Sequence, residues 1–209
     1  MDDLKKDMLY ENEEKFRKKY GIIAGVDEAG RGPLAGPVVV AAVILHSNQR
    51  FTKLNDSKQL SSKRRELLFP KIKLEAANYS IVEISPAQID ELNILQATLL
   101  GMQQAVSNLA EEGVFSLIDG NKVPKNLAGK AQAMVKGDSR FASIAAASVL
   151  AKVHRDNLML KLHKEFPQYN FAKNKGYPTK EHMAAIRKYG ITPFHRKSYR
   201  PVQQYTFDF

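Results

Sequence analysis

The chain has 209 residues, a formal net charge of +10 and no cysteine, enough for one large domain with its own core and no disulfide staples. The lack of cysteine excludes thiolate metal sites and cysteine nucleophiles and fits a reducing compartment, so a cytoplasmic location is expected. The longest unbroken apolar run is the eight residues Val38 to Leu45, well short of the roughly 20 a membrane helix needs, and the start Met1-Asp2-Asp3-Leu4-Lys5-Lys6 lacks the layout of a signal peptide.

Residues 1–20 carry six acids and six bases and read as an exposed charged helix or arm ahead of a domain spanning 21–209. Gly21 to Val26 and Pro37 to Leu45 are apolar, β-branched runs that predict buried strands. Residues 62–77 are charged and helix-prone, and 79–84 predict a third strand. Pro86 opens a helix whose apolar face runs through Ile89, Leu92, Leu95, Leu99, Met102, Val106 and Leu109, at spacings of three and four. Strands are expected over 114–118 and 131–135. A long helix over 139–164 follows, with Ala145-Ala146-Ala147-Ser148 allowing close approach. The last helix, 179–189, has Thr179 as its N-cap. Strands alternating with helices indicate an α/β fold.

Three of these strands end in acid: Val26-Asp27-Glu28, Ile118-Asp119-Gly120 and Val135-Lys136-Gly137-Asp138. Sites in open α/β sheets gather at the carboxyl ends of strands. Carboxylates meeting there repel one another and raise their own pKa values, a cost that a divalent cation reverses. Oxygen ligands without cysteine favour Mg²⁺ or Mn²⁺. Taken singly, Asp119 reads as a turn residue and Asp138 as a helix N-cap. Asp27 and Glu28 together have no structural excuse on a buried strand. Asp156 lies eighteen residues beyond Asp138, about 27 Å along an unbroken helix, so it is expected in a surface or salt-bridge role. The loop Gly30-Arg31-Gly32-Pro33-Leu34-Ala35-Gly36 is neither a dinucleotide fingerprint nor a Walker loop. Its glycines permit close backbone approach to a ligand, and equally permit a tight turn between strands.

The segment from Ala151 to Phe209 holds twelve Lys/Arg against four Asp/Glu, and ten of the eighteen Phe/Tyr. A basic, aromatic-rich end points to a polyanion partner, most simply nucleic acid. Lys58, Lys152, Lys173, Lys175, Arg196 and Lys197 are candidate phosphate contacts. His154, His163, His182 and His195 lack convergent short spacing and are expected as surface or phosphate-contact residues.

Gly25-Val26-Asp27-Glu28-Ala29-Gly30-Arg31-Gly32-Pro33-Leu34-Ala35-Gly36-Pro37-Val38 resembles the signature of type 2 ribonuclease H. The resemblance continues through Asn55-Asp56-Ser57-Lys58, Ile118-Asp119-Gly120-Asn121, Lys136-Gly137-Asp138-Ser139, Ser143 to Ser148, Ala151-Lys152-Val153, Asn174 to Thr179 and His195-Arg196-Lys197-Ser198, spanning about Gly21 to Val202. It implies an RNase H-like fold: a mixed five-stranded sheet flanked by helices, with a helical C-terminal part over about 165–209. It further implies Asp27, Glu28, Asp119 and Asp138 as catalytic metal ligands for two Mg²⁺ or Mn²⁺ ions, Gly30, Arg31 and Gly32 as substrate-binding residues, and Tyr177 as the ribose sensor; Lys58 joins the substrate-binding set as a phosphate contact. The implied reaction is hydrolysis 5′ to a ribonucleotide, in RNA–DNA hybrids or in DNA duplexes with embedded ribonucleotides, giving 3′-hydroxyl and 5′-phosphate ends. His154 stands where the family usually has threonine, and Gly190-Ile191-Thr192-Pro193 also departs from the commoner form. The related type 3 enzymes carry an extra N-terminal domain, and with twenty residues before Gly21 the type 2 enzyme is the expectation. A silent hybrid-binding protein would need no buried acids, and a nuclease requiring several consecutive ribonucleotides is the other alternative. Gln203 to Phe209 has a glutamine-then-aromatic layout loosely like sliding-clamp peptides, with Thr206 where an aliphatic residue is expected, and packing of the tail on the domain is the default reading. A monomer is expected.

Overall fold

The computed structural model describes residues 2–52, 54 and 60–205, and for residues 2–7 the backbone alone. In chain order the elements are α1 (Asp2–Tyr20), β1 (Ile23–Ala29), β2 (Val38–Ile44), α2 (Ser62–Glu75), β3 (Asn78–Ile84), α3 (Pro86–Leu92), α4 (Ile94–Ser107), β4 (Phe115–Asp119), β5 (Ala131–Met134), α5 (Ala142–Glu165), α6 (Phe171–Asn174), α7 (Lys180–Tyr189) and α8 (Arg200–Gln203). The five strands form one mixed sheet in the order β3-β2-β1-β4-β5. The β1–β2 and β2–β3 pairs are antiparallel, while β1–β4 and β4–β5 are parallel. The sheet is flanked by helices, and the chain after α5 is helical, as the sequence predicts.

Every residue of β2 is buried, which explains its unbroken run of valine, alanine and isoleucine. One sheet face packs against α5, with α1 and α2 beside it; α3 and α4 cover the other. The Ala145-Ala146-Ala147 stretch of α5 is wholly buried, and Gly25 of β1 lets it settle there. A Cβ on Gly25 would lie 2.1 Å from the backbone nitrogen of Ile144, closer than any real contact.

Two expectations change. The helix predicted to run unbroken from Pro86 is interrupted at Asn93, which has φ +67°. Asparagine tolerates this conformation, and its Oδ1 accepts from the backbone of Leu95 and Gln96, starting α4 afresh. The N-terminal helix is not an exposed arm: Leu9, Tyr10 and Glu13 are buried. Helix α5 begins after Phe141, which offers no side-chain cap. Instead the Glu13 Oε2 accepts from the Ser143 backbone N–H at 2.7 Å, an acid placed at a helix N-terminus. Burial pushes the Glu13 carboxyl up, while that hydrogen bond and Arg17 oppose it.

Candidate active site

The parallel pairing of β1 with β4 sets Val26 opposite Ile118. The next residue on each strand is an acid, so Asp27 and Asp119 emerge side by side on one face. Asp119 in turn pairs with Met134 of β5. Beyond it a tight turn over Gly137–Ser139 returns Asp138 toward the other two. That turn is tied down by the Gly137 N–H donating to Asp119 Oδ1 at 2.7 Å. Carboxylate oxygens of Asp27, Asp119 and Asp138 all lie within 4.8 Å of one another. Glu28 follows Asp27 on the same strand, so its Cβ leaves on the opposite side of the pleat. It lines the same groove, with its Oε1 3.5 Å from Arg31 Nη1.

Asp27 is 5% exposed and Asp138 4%. The Asp27 carboxyl is held well above the usual range by burial first, then by the charges of Glu28 and Asp119; bonds from the Ser148 side chain and the Glu28 N–H act against this. A buried acid cluster of this kind is a poor structural element and a good cation site. The donors are all carboxylate oxygens, the set that suits Mg²⁺ or Mn²⁺, so the residues present fit a divalent metal.

The groove above these acids has a volume of about 260 Å³ and is lined by Asp27, Glu28, Gly30, Arg31, Gly32 and Tyr177 among others. Two buried arginines shape its glycine wall. Arg196 donates to the carbonyls of Gly30, Arg31 and Gly36. Arg155 donates to those of Ala35, Pro37 and Lys175. Burial, then the neighbouring Arg196, brings the Arg155 guanidinium down to about 10. Because the peptide is planar and trans, turning the Gly30 and Arg31 carbonyls toward Arg196 points the N–H groups of Arg31 and Gly32 the other way. Gly30 has φ +99°, and a Cβ there would fall 2.0 Å from Arg155 Nε, so glycine is required. The Tyr177 ring, 44% exposed, stands against Gly32: a Cβ on that glycine would lie 3.5 Å from its Cε1.

The basic residues divide. Lys152 lines the groove and pairs with Asp156 at 2.7 Å, the salt-bridge role expected for Asp156. Lys173 and Lys197 are exposed and Lys175 half-buried. Lys58 and the Asn55–Lys58 motif lie outside the described residues. Arg196 is not a phosphate contact, because it is fully buried and its guanidinium is committed to carbonyls. His182 and His195 are likewise buried rather than on the surface. His154 does sit at the surface, 2.7 Å from Glu83.

Sequence reasoning missed Arg155, Arg65, Ser148 and the cap from Glu13. Ser148 and Arg65 also line the groove. The close-approach segment contains Ser148, but nothing in the spacing marks a helical serine as a partner of Asp27. An arginine inside an alanine-rich helix was the one available signal for Arg155.

The model of the family described as ribonuclease HII matches residues 24–202. The chain belongs to the ribonuclease HII family. A curated ribonuclease HII of Francisella tularensis subsp. tularensis is 57% identical over 182 residues, covering 87% of this chain and 97% of that protein. Among solved structures, the ribonuclease H2 of Pyrococcus horikoshii is similar with a TM-score of 0.76 at 27% identity, covering 88% of this chain and 96% of that one. The ribonuclease HII in a PCNA complex from Archaeoglobus fulgidus is similar with a TM-score of 0.73 at 27% identity, covering 86% and 95%. As a ribonuclease HII, the chain is a type 2 ribonuclease H, a nuclease of a metal-dependent hydrolase family, and the clustered aspartates are where a metal would be held. No helix among the described residues is long and apolar enough to cross a membrane.

Proposed function

We propose that this ribonuclease HII hydrolyses the phosphodiester 5′ to a ribonucleotide, in RNA–DNA hybrids and in DNA duplexes with embedded ribonucleotides, leaving 3′-hydroxyl and 5′-phosphate ends. The observation that carries this is the meeting of Asp27, Asp119 and Asp138 beside a groove walled by Gly30–Gly32 and Tyr177. Asp27, Glu28, Asp119 and Asp138 would hold two Mg²⁺ or Mn²⁺ ions. Such ions supply an activated water and neutralise charge at the leaving 3′-oxygen.

The chain's own groups select the substrate. The Arg31 and Gly32 N–H groups, turned away from Arg196, bind the 2′-hydroxyl, the group that separates RNA from DNA. The Tyr177 ring stacks on the sugar with its hydroxyl toward the scissile phosphate. Lys152, Lys173, Lys175 and Lys197, with Lys58, track the duplex backbone. The enzyme works as a cytoplasmic monomer. A sliding clamp is a further partner through the C-terminal tail; its Gln203, Gln204 and Tyr205 are described, while residues 206–209 lie outside the described residues.

The test is cleavage of a duplex carrying one ribonucleotide, with Mg²⁺, Mn²⁺ or EDTA. A single cut 5′ to the ribonucleotide, abolished by EDTA, is expected. Binding without cleavage would leave a hybrid-binding protein, and a need for several consecutive ribonucleotides would replace the substrate. Affinity for the duplex should also fall with salt, with a log–log slope steeper than about −3 if four or more lysines meet phosphates. A flat titration would remove the lysines from the interface.

A further inference from the structure

Beneath Tyr177 lie two buried histidines that the proposed reaction does not use. His195 Nε2 is 3.1 Å from His182 Nε2. At one end, the Thr192 backbone N–H donates to His195 Nδ1 at 2.9 Å; at the other, His182 Nδ1 lies 2.9 Å from the Tyr177 carbonyl oxygen. The Thr192 hydroxyl also lies 2.9 Å from His195 Nδ1, and the backbone N–H aimed at that nitrogen makes it the acceptor, which sets the protons of two neutral rings. His195 Nδ1 accepts, so its Nε2 carries the hydrogen and donates to His182 Nε2. His182 therefore carries its hydrogen on Nδ1 and donates it to the Tyr177 carbonyl. The rings of Tyr169 and Phe171 enclose the pair. Burial, then His182, brings His195 down to about 3, and burial also lowers His182, which favours the neutral form of both rings.

We propose that Thr192, His195 and His182 form a directional hydrogen-bond relay that positions Tyr177 for recognition of the ribonucleotide, His182 and His195 being positioning residues. The inference rests on the substrate-contact reading of Tyr177 given above. The Tyr177 ring is exposed and touches Gly32 lightly, so its place is set through its backbone. That backbone is held by the Thr179 N–H, by Asn174 and by His182. His195 also adjoins Arg196, which holds the Gly30–Arg31 carbonyls. Two consecutive residues thus tie the two walls of the groove to one segment, Thr192 to Arg196.

Imidazole ¹⁵N spectra of the wild-type protein at neutral pH test the relay without any variant. His195 should be protonated at Nε2 alone and His182 at Nδ1 alone; the reverse tautomers, or an imidazolium at either ring, would overturn it. Kinetics on the single-ribonucleotide duplex then test its purpose. His182→Phe should lower kcat by about 10-fold or more, the scale on which outer-shell partners act, with KM nearly unchanged because the phosphate contacts lie elsewhere. In a Tyr177→Ala background the same change should cost less than about 2-fold, since contacts acting through one group are not additive. Equal losses in both backgrounds, or an undiminished His182→Phe enzyme beside an impaired Tyr177→Ala enzyme, would overturn the relay alone. Full activity of Tyr177→Ala would overturn the tyrosine's contact role, and the relay's function with it.

Discussion

Asp27→Asn is expected to abolish cleavage and at the same time to stabilise the metal-free protein. Loss of an outer-shell partner of a metal costs about 10–100-fold, so loss of a central ligand should exceed about 100-fold under Mg²⁺. The opposite effect on stability follows from the wild-type site. Asp27 is buried beside Glu28 and Asp119 and its carboxyl is raised by all three influences, so its charged form opposes folding until a cation arrives. Asparagine removes that charge with little change of shape. In EDTA the variant should therefore melt at a higher temperature than wild type. The sign with pH is fixed: wild-type Asp27 is neutral in both states below the ordinary carboxylate range and charged in both above its raised value. The gap in melting temperature must therefore close as pH falls through that interval. Adding Mg²⁺ should reverse the order, because a ligand at a hundred times its Kd stabilises the native state by about 2.7 kcal/mol. Thermal melts with and without metal, beside cleavage rates, check both halves. A metal-free variant less stable than wild type would mean that Asp27 is a structural hydrogen-bond partner rather than a cation ligand.

Arg196→Ala should be among the most destabilising single changes in the chain. It strands the carbonyls of Gly30 and Gly36 in a buried pocket, while that of Arg31 keeps the Tyr199 hydroxyl. A buried acceptor left without a partner costs about 1–3 kcal/mol, so a loss of at least about 2 kcal/mol is expected. Arg196→Lys keeps the charge, but a lysine head cannot reproduce the planar fork, so much of the loss should persist. Denaturant unfolding measures this. A phosphate-contact arginine would behave otherwise: both variants would fold with wild-type stability, and the salt slope of duplex binding would shrink by about one contact. That result would contradict the inward orientation of the guanidinium. With the clamp lost, the Gly30 carbonyl is freed, and the soluble fraction of Arg196→Lys should also discriminate poorly between ribose and deoxyribose.

How far the sequence could be read shows in particular residues. The strands were legible because unbroken apolar, β-branched runs leave a local trace, as in Val38 to Ile44, which is buried throughout. Asp27 and Asp119 were legible because each closes an apolar run that forms a strand, where a carboxylate is costly, and Asp138 because it follows the shorter run of β5. The break at Asn93 was not, since its positive φ is bought by two bonds from Oδ1 that spacing does not disclose. Arg196 and His195 looked like surface residues because a basic, aromatic segment has the same composition whether its cations meet phosphate or carbonyl.

The sequence by itself determined the α/β class, the order of the strands along the chain, the acids and the family, since these depend on local patterning and on ordered motifs. Tertiary structure alone decided that β1 and β4 lie parallel in a register that aligns Asp27 with Asp119. It also decided that Glu13, 130 residues before its partner Ser143, caps the central helix, and that Arg155, Arg196, His182 and His195 turn inward. The physical reason is shared. Desolvation of a polar group is tolerable only where partners from distant parts of the chain meet it, and those partners exist only once the sheet and its helices have closed around them.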